Sequence, residues 1–312
     1  MGKLVATREA YGQALKELGG QNKDIIVLDA DLSKSTKTAD FKKVYPERFF
    51  NVGIAEQNMM GTAAGLAAAG KVPFVSTFAM FAAGRAYEQI RNSICYPKLN
   101  VKIAATHAGL TVGEDGASHQ SIEDISLMRT IPNMTVIVPC DAAETRAAVA
   151  YAAAYEGPVY LRLGRMGTPD IFGADYVFEL GKAVQLADGK DVTLIATGML
   201  VAAAQEAAKL LNEQGYTARV LNIHTIKPLD QTAVIAAAQA TGAIVTCEEH
   251  SIYGGLGSAV AEVLVEAAPV PMQRVGVQDT FGESGTADDL LQKYHLTAAD
   301  IVAAALRVIA RK

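Results

Sequence analysis

The stretch VKIAATHAGLTVGEDGASHQSIEDISLMRTIPNMTVIVP, residues 101–139, decides the fold. It begins and ends with nearly continuous apolar runs, VKIAAT (101–106) and MTVIVP (134–139), which are typical of parallel strands covered on both faces. A helical pattern at residues 121–130 lies between the two runs. A strand, a helix and a second strand in this order predict a βαβ unit within a mainly parallel sheet.

The same alternation extends in both directions along the chain. Further strands are predicted at IIVLDA (25–30), VPFVST (72–77) and PVYLRLG (158–164), and helices near 55–69, 79–94 and 141–155, the last with Asp141 as its N-cap. A stretch rich in Gly, Pro and Asp follows, and a second series of alternating strands and helices comes after it. We therefore predict an α/β fold of two domains, each a mainly parallel sheet flanked by helices: residues 1–167, a linker at 168–184, and residues 185–312.

The composition of the 312 residues argues against several classes of protein. A net charge of −5 does not favour a general nucleic-acid binder, and no apolar run approaches the roughly 20 residues that a membrane-spanning helix requires. The N-terminus, MGKLVATREAYG, has no apolar signal core. The three cysteines are far apart and suggest neither a disulfide framework nor a zinc site. We expect a cytoplasmic protein that binds neither nucleic acid nor membrane.

An acid and two aromatic residues stand out near the starts of helices. Glu56 opens an apolar helix, either as a partner of the helix dipole or as a functional acid. Phe78 and Phe81 are one turn apart, and they either belong to the core or form an aromatic wall for a flat heterocycle.

The loop that follows VKIAAT carries His107, Asp115 and His119 among several glycines. Loops after strands are where ligands bind in open α/β sheets, so these side chains are candidates for a site. The two histidines are twelve residues apart, which is not the spacing of a helical metal-binding pair. Arg8 and Arg165, taken alone, are compatible with ordinary surface charges.

Four motifs appear in an order typical of one enzyme family: GIAEQNM (53–59), PFVSTFAMF (73–81), GLTVGEDGASHQSIEDI (109–125) and HTIKPLD (224–230). Together they resemble the C-terminal half of transketolase, and the resemblance covers nearly the whole chain. It implies the pyrimidine-binding domain fold of a thiamine-diphosphate enzyme, followed by a transketolase C-terminal domain. It also implies transfer of a two-carbon ketol unit from a ketose donor to an aldose acceptor, both of them sugar phosphates.

The resemblance assigns Glu56 to the aminopyrimidine ring of the cofactor, where a carboxyl group shares a proton with a ring nitrogen. Alanine and methionine surround this acid in the sequence, so we expect desolvation to favour proton sharing. Phe78 and Phe81 match the aromatics that hold this ring. Asp31 matches an aspartate near the cofactor at the boundary between subunits, and Leu32 follows it in the same motif. Gly84 takes the position of a third pocket aromatic found in some transketolases.

The substrate side follows from the same resemblance. Guanidinium groups with hydroxyl and imidazole donors suit a sugar-phosphate dianion, and the matching phosphate contacts are Arg8, Ser35, His107 and Arg165. Asp115 matches the aspartate that binds a sugar hydroxyl, and His119 matches the histidine near the reacting hydroxyls of the donor. The implied catalytic residues are Glu56, His107 and His119.

One half of a transketolase site is missing from the sequence. The family's GDG motif, which binds the diphosphate and a divalent metal, does not occur. YGGLGSAV (253–260) offers either a phosphate cradle or a simple turn, and ADGKD (187–191) is a predicted hairpin-like turn. We therefore expect no metal ligands in this chain, and thiamine diphosphate with Mg²⁺ (or Ca²⁺) held mainly by a partner. That partner would be a transketolase N-terminal-half subunit in an α2β2 heterotetramer, unless the chain is a truncated fragment.

Three other functions match parts of the pattern. Deoxyxylulose-phosphate synthase, a decarboxylating relative, has a similar GIAEQ stretch, although HTIKPLD, Arg8 and Ser35 favour transketolase. The β subunit of a 2-oxo-acid dehydrogenase would have a similar architecture, but the GEDGASHQ loop argues against it. A noncatalytic transketolase-like subunit that only binds a partner would not need Glu56, both loop histidines and both arginines.

Overall fold

The computed structural model describes residues 4–312. The strands of the N-terminal half are β1 (Val5–Ala6), β2 (Ile25–Asp29), β3 (Phe49–Asn51), β4 (Val72–Phe78), β5 (Lys102–Thr106), β6 (Thr135–Ile137), β7 (Val159–Arg162) and β8 (Gly167–Thr168). Its helices are α1 (Thr7–Gln21), α2 (Ser33–Thr36), α3 (Ala39–Val44), α4 (Glu56–Ala68), α5 (Tyr87–Gln89), α6 (Asp124–Thr130) and α7 (Ala142–Ala154). Strands and helices thus alternate as predicted.

The C-terminal half repeats the alternation. Its strands are β9 (Val184–Ala187), β10 (Val192–Ala196), β11 (Ala218–Asn222), β12 (Thr225–Lys227), β13 (Ile244–Ser251) and β14 (Met272–Val277). Its helices are α8 (Leu200–Glu213), α9 (Gln231–Thr241), α10 (Leu256–Ala267), α11 (Ala287–Lys293) and α12 (Ala298–Ile309).

Two mainly parallel sheets organise these elements. The larger sheet has the strand order β12-β6-β7-β5-β4-β2-β3, and all neighbours among its six N-terminal strands are parallel. The second sheet has the order β14-β13-β10-β11-β9, with only β9 antiparallel. β2, β5 and β7 are buried at every position, as their continuous apolar runs predict. The prediction of an α/β fold with mainly parallel sheets is confirmed.

The predicted N-cap of α7 is also confirmed. Asp141 Oδ1 accepts the N–H of Glu144 at 2.8 Å. Its second oxygen, Oδ2, accepts the N–H groups of Ile171 and Phe172 at 2.8 and 2.7 Å. One buried carboxylate therefore starts the helix and also holds the first part of the predicted linker against it.

The relation between the two halves differs from the sequence prediction in two details. β12 comes from the C-terminal half, yet it pairs antiparallel with β6 and completes the larger sheet. The predicted hairpin-like turn at 187–191 is wrong, because β11 lies between the two strands that this segment joins. The domain boundaries at 167 and 185 stay a prediction, since a strand crosses from one predicted domain into the sheet of the other.

Two further observations concern the cysteines and the lengths of the helices. The three cysteines, Cys95, Cys140 and Cys247, are all buried and none forms a disulfide. Between residues 4 and 312, every helix is either too short or too polar to cross a lipid bilayer.

Lys102 is fully buried in β5 and supplies a pH-dependent contribution to stability. Nζ donates to the carbonyl oxygens of Tyr155 and Gly157 at 2.6 and 2.7 Å, so both N–H groups of a neutral amine are used. Burial lowers the pKa of Lys102 to about 7. In the unfolded chain the amine titrates near pH 10.5. The contribution of the buried neutral amine to the free energy of unfolding is therefore fully present above pH 10.5 and is lost as the pH falls to about 7.

Relative to Lys102→Met, the wild-type free energy of unfolding should therefore rise between pH 7 and pH 9, by about 1.4 kcal/mol per pH unit at most. Urea denaturation at pH 7, 8 and 9 measures this slope. Lys23→Met, which removes an exposed lysine, is the matched control and should show no such difference. Parallel pH profiles for wild type and Lys102→Met would contradict the prediction.

Candidate active site

The residues implicated by the sequence meet at one edge of the larger sheet. The neighbouring strands β2, β4, β5 and β7 end at or just before Asp31, Phe78, His107 and Arg165. Glu56 begins α4 shortly after β3, which is the neighbour of β2. The carboxyl ends of parallel strands are the usual place for a ligand in such sheets. The fold therefore brings together residues that are far apart in the sequence.

Glu56 forms an ion pair that its apolar sequence context did not indicate. Its side chain is 1% exposed, and both carboxylate oxygens accept hydrogen bonds from Nη1 of Arg85 at 2.9 Å. The guanidinium group also lies 4.7 Å from the centre of the Phe81 ring. The apolar sequence context of Glu56 therefore describes its surroundings incompletely, because a cation shares its site.

The helical segment between β4 and β5 contains two wide turns. Residues Phe81–Arg85 form a π turn, α5 follows, and a second π turn spans Ile90–Cys95. Turns of this kind are rare in proteins and are frequently found at functional sites. The first π turn places Arg85 against both the Phe81 ring and the Glu56 carboxylate.

Four rings form a continuous cluster beside this ion pair. Phe78 stacks on Phe81 with centroids 5.7 Å apart and an interplanar angle of 18°. Its ring also stacks on His107 at 3.9 Å and 26°. His119 approaches Phe81 edge-on at 5.3 Å and 70°. The cluster offers a flat apolar surface next to a buried carboxylate, which fits a planar heterocycle with hydrogen-bonding ring nitrogens.

His107 has both of its ring nitrogens engaged. Arg8 Nη1 donates to Nε2 at 3.2 Å, so Nδ1 carries the proton and donates to Thr106 Oγ1 at 2.9 Å. Burial and the positive charges of Arg8 and Arg165 lower the pKa of His107 to about 3, so the ring is neutral at pH 7. A direct phosphate contact by this histidine, as the resemblance implies, would require its pair with Arg8 to open.

Arg8 also links the N-terminal helix α1 to the short helix α2. Its Nη1 donates to the backbone carbonyl of Ser35 at 2.9 Å. Its Nε is buried and has no hydrogen-bond partner among residues 4–312. Burial lowers the pKa of the Arg8 guanidinium. A buried donor without a partner is costly, which suits a site where an anion supplies the missing acceptor.

Asp29, the last residue of β2, holds the loop that carries Asp31 and Leu32. The buried Asp29 carboxylate accepts the Leu32 N–H at 2.6 Å and the Thr36 hydroxyl at 2.6 Å. Asp31 is exposed, and it exchanges two hydrogen bonds with the Asn51 side chain at 2.9 and 3.0 Å. Asp31 and Leu32 therefore stand at the rim of the site, on a rigid support.

Arg165 contacts several residues of the glycine-rich loop after β5. Nη1 donates to the Val112 carbonyl, and it lies 3.2 Å from Glu114 Oε2 and 3.8 Å from Asp115 Oδ2. The side chains of Arg165 and Asp115 remain 36% and 45% exposed. An anion that approaches Arg165 would have to compete with Glu114, whose pairing with Arg165 is solvent-exposed and therefore weak.

Residues of the C-terminal half hold the same loop in place. Glu249 accepts the N–H of Thr111 at 2.6 Å, and its carboxylate fills the space into which a side chain at Gly109 would point. Gly109 has a φ of +84°, so both its backbone conformation and this close approach require glycine. Gln120 Nε2 donates to the Glu283 carbonyl at 2.9 Å. The predicted second domain thus supports the loop that carries Asp115 and His119.

The implied cofactor has two ends, the pyrimidine ring and the diphosphate with its metal. Within residues 4–312, no cluster of three or more His, Cys, Asp or Glu side chains could hold a metal ion. The interpretation of residues 253–260 as a phosphate cradle is wrong, because the N–H groups of Leu256 and Gly257 already donate to the buried Glu248 carboxylate at 2.7 Å each. The aromatic cluster with Glu56 fits a pyrimidine ring.

Three residues of the site were missed by the sequence analysis. Arg85 had a usable signal, because it follows Phe81 by four residues, and helical residues at that spacing are neighbours. Asp29 was missed although its hydrogen bonds to Leu32 and Thr36 are local. Glu249 contacts Thr111, 138 residues away, and this approach depends on the tertiary fold.

Comparisons with known proteins agree with this geometry. Residues 3–170 match the family described as transketolase, pyrimidine binding domain, and residues 181–301 match transketolase, C-terminal domain. The 6-deoxy-6-sulfo-D-fructose transketolase subunit of Clostridium sp. (strain MSTE9) is 48% identical over 305 residues, covering 98% of this chain and 95% of that protein. A subunit of the apulose-4-phosphate transketolase of Phocaeicola vulgatus is 41% identical over 307 residues, covering 98% of each protein.

A solved structure gives the same result. It is described as a split gene transketolase, inactive beta4 tetramer, and it superimposes with a TM-score of 0.93 at 62% identity, covering 98% of this chain and 99% of that one. Both domain families match in order, and the relatives are similar over nearly their whole length. The chain therefore belongs to the transketolase family.

Proposed function

We propose that this chain is one subunit of a split, thiamine-diphosphate-dependent transketolase that moves a two-carbon ketol unit from a ketose phosphate to an aldose phosphate. The observation that carries the proposal is a half-complete site. Glu56, Phe78 and Phe81 suit the pyrimidine ring, while the described residues contain no metal-binding cluster. A partner chain that binds the diphosphate and Mg²⁺ (or Ca²⁺) would complete the site.

Thiamine diphosphate, when bound, supplies the carbanion-stabilising chemistry that ketol transfer needs. The proposed role of Glu56 is to hold a proton between its carboxylate and a pyrimidine nitrogen, and its burial keeps water from competing for that proton. Phe78 and Phe81 would stack on the ring and fix its plane. Asp31 and Leu32, at the rim of the site, would contact the cofactor from the boundary between subunits.

On the substrate side, the two arginines are placed to bind an anionic sugar. Arg165 is paired with exposed carboxylates, and Arg8 has a buried N–H donor that no other residue between 4 and 312 accepts. Asp115 and His119 lie on the glycine-rich loop after β5 and would bind the sugar hydroxyls. His107, neutral and paired with Arg8, would position that arginine rather than carry charge itself.

The two named relatives support an anionic sugar without fixing which one. One is a transketolase subunit for 6-deoxy-6-sulfo-D-fructose and the other for apulose-4-phosphate, so a sulfonate and a phosphate occur at the ends of their substrates. Guanidinium groups bind either anion through charge-assisted hydrogen bonds. We infer that the substrate class is a short sugar with a terminal anion, and that common pentose phosphates are the first candidates.

The solved relative supports dependence on a partner, since it is described as an inactive beta4 tetramer. We infer that this chain also assembles without activity when alone, and that an N-terminal-half subunit joins it in an α2β2 enzyme. Closed symmetric assemblies of this size are common among oligomers.

The direct test is reconstitution with a chain that carries the N-terminal half of a transketolase. We expect the mixture with thiamine diphosphate and Mg²⁺ to release glyceraldehyde 3-phosphate from xylulose 5-phosphate when an aldose phosphate acceptor is added. Pyruvate serves as the control donor. Carbon dioxide release from pyruvate would favour the synthase alternative, and inactivity with every donor would favour a noncatalytic subunit.

Replacing Arg165 by Ala should reduce kcat/KM for xylulose 5-phosphate by about tenfold to hundredfold, because a charge-assisted hydrogen bond contributes about 1.5–3 kcal/mol. Hydroxypyruvate, which has no phosphate, should be affected much less. Steady-state kinetics of the reconstituted enzyme with both donors measures the difference. Arg307→Ala, on the exposed side of α12, is the matched control. Equal losses for both donors would rule out a phosphate role for Arg165.

A further inference from the structure

We propose that Arg85 is a gate for the pyrimidine half of the cofactor site: it occupies the site in this chain, and it must move away before the ring can bind. The inference rests on the proposed function, since it assumes that Glu56 and Phe81 bind the cofactor ring. It adds a residue for which the family resemblance supplied no role.

The first argument is the asymmetry of the ion pair. Glu56 is buried and fixed at the start of α4, whereas the Arg85 side chain is 47% exposed and reaches the carboxylate from outside. Both hydrogen bonds come from a single nitrogen, Nη1, and occupy both carboxylate oxygens. The pair therefore consists of a rigid acceptor and a movable donor.

The second argument is competition for the same two surfaces. A pyrimidine ring at this site needs an oxygen of Glu56 for a hydrogen bond and the face of an aromatic ring for stacking. Arg85 already uses both Glu56 oxygens, and its guanidinium lies 4.7 Å from the centre of the Phe81 ring. A ring that stacks on the same face of Phe81 while bonding the same carboxylate would have to displace the guanidinium.

The third argument explains why the gate stays closed without a ligand. A buried carboxylate that loses its charged partner is strongly disfavoured. Arg85 will therefore remain on Glu56 until another hydrogen-bonding group replaces it, and a protonated ring nitrogen is such a group. The apparent cofactor affinity is then reduced by the fraction of chains whose gate is open.

The test uses the reconstituted complex and isothermal calorimetry with thiamine diphosphate and Mg²⁺. If the closed form, in which Arg85 contacts Glu56, outnumbers the open form by about ten to one, Arg85→Met should lower the apparent Kd about tenfold. Arg91→Met, which removes an exposed arginine from the same helical segment, is the matched control and should leave the Kd unchanged. An unchanged or higher Kd for Arg85→Met would overturn the gate, since it would make Arg85 a structural residue or a cofactor ligand.

A second variant keeps the test decisive if Arg85→Met does not fold. Arg85→Lys keeps a cation beside Glu56 but removes the planar group from Phe81. It should lower the Kd by a smaller factor, and a Kd equal to or above that of the wild type would again overturn the gate. If the wild-type complex binds no thiamine diphosphate at all, the proposed function fails. If the wild type binds and the variants bind no better, only the gate fails.

Discussion

Replacing Glu56 by Gln is expected to reduce ketol transfer by at least about 100-fold, which is the usual effect of losing a proton-transfer group. The amide has nearly the shape of the carboxyl group, so the packing at the start of α4 should be retained. Its oxygen can still accept a hydrogen bond from Arg85. However, it cannot hold a proton between itself and a ring nitrogen. Turnover of the reconstituted enzyme at saturating cofactor is the measurement.

A matched variant separates chemistry from charge. Glu88 is exposed and lies in the same helical region as Arg85, so Glu88→Gln should leave turnover unchanged. The melting temperature of Glu56→Gln should remain close to that of the wild type, because Arg85 keeps one acceptor. Turnover of Glu56→Gln near the wild-type rate would contradict a catalytic role and would indicate that Glu56 only interacts with the helix dipole.

The convergence of the candidate residues at one edge of the sheet could be predicted from the sequence, because it depends on patterns that are local. Continuous apolar runs identified the parallel strands, and the positions just after them contain Phe78, His107 and Arg165. Parallel strands direct their carboxyl ends to one edge, so residues at those ends must converge. The convergence did not depend on any detail of side-chain packing.

The hydrogen-bond partners within the site could not be predicted in the same way. The lowered pKa of His107 depends on burial and on Arg8, which is 99 residues away. The shape of its loop depends on Glu249, which is 138 residues from Thr111. The pairing of β12 with β6 is likewise a long-range event. Such contacts follow from how the halves pack, and no periodicity in the sequence encodes them.

The Glu56–Arg85 pair shows why composition alone was misleading. The alanines and methionines of α4 do bury the carboxylate, as their apolar character suggests. The charge that balances it comes from another helical segment, 29 residues further along the chain. A buried acid is rarely left without a partner, so the burial that the sequence suggested for Glu56 also called for a search for a nearby cation.

The isolated chain is expected to be folded but inactive, and to bind thiamine diphosphate no more tightly than about 1 mM, which corresponds to about −4 kcal/mol. The diphosphate and metal are the most charged parts of the cofactor, and residues 4–312 offer no metal-binding cluster for them. Stacking on Phe78 and Phe81 contributes only about 0.5–1.5 kcal/mol per aromatic pair beyond the burial of area. One hydrogen bond to Glu56 adds about 1.5–3 kcal/mol.

These gains are offset by the cost of association, about 4–15 kcal/mol, so little net affinity should remain. Calorimetry of the chain alone with thiamine diphosphate and Mg²⁺ measures this directly. Titration with the partner should then restore cofactor binding, metal dependence and ketol transfer together, with activity reaching a plateau near one partner per chain. Micromolar binding and turnover by the chain alone would refute the split site, because the described residues would then have to hold the diphosphate by contacts that their geometry does not provide.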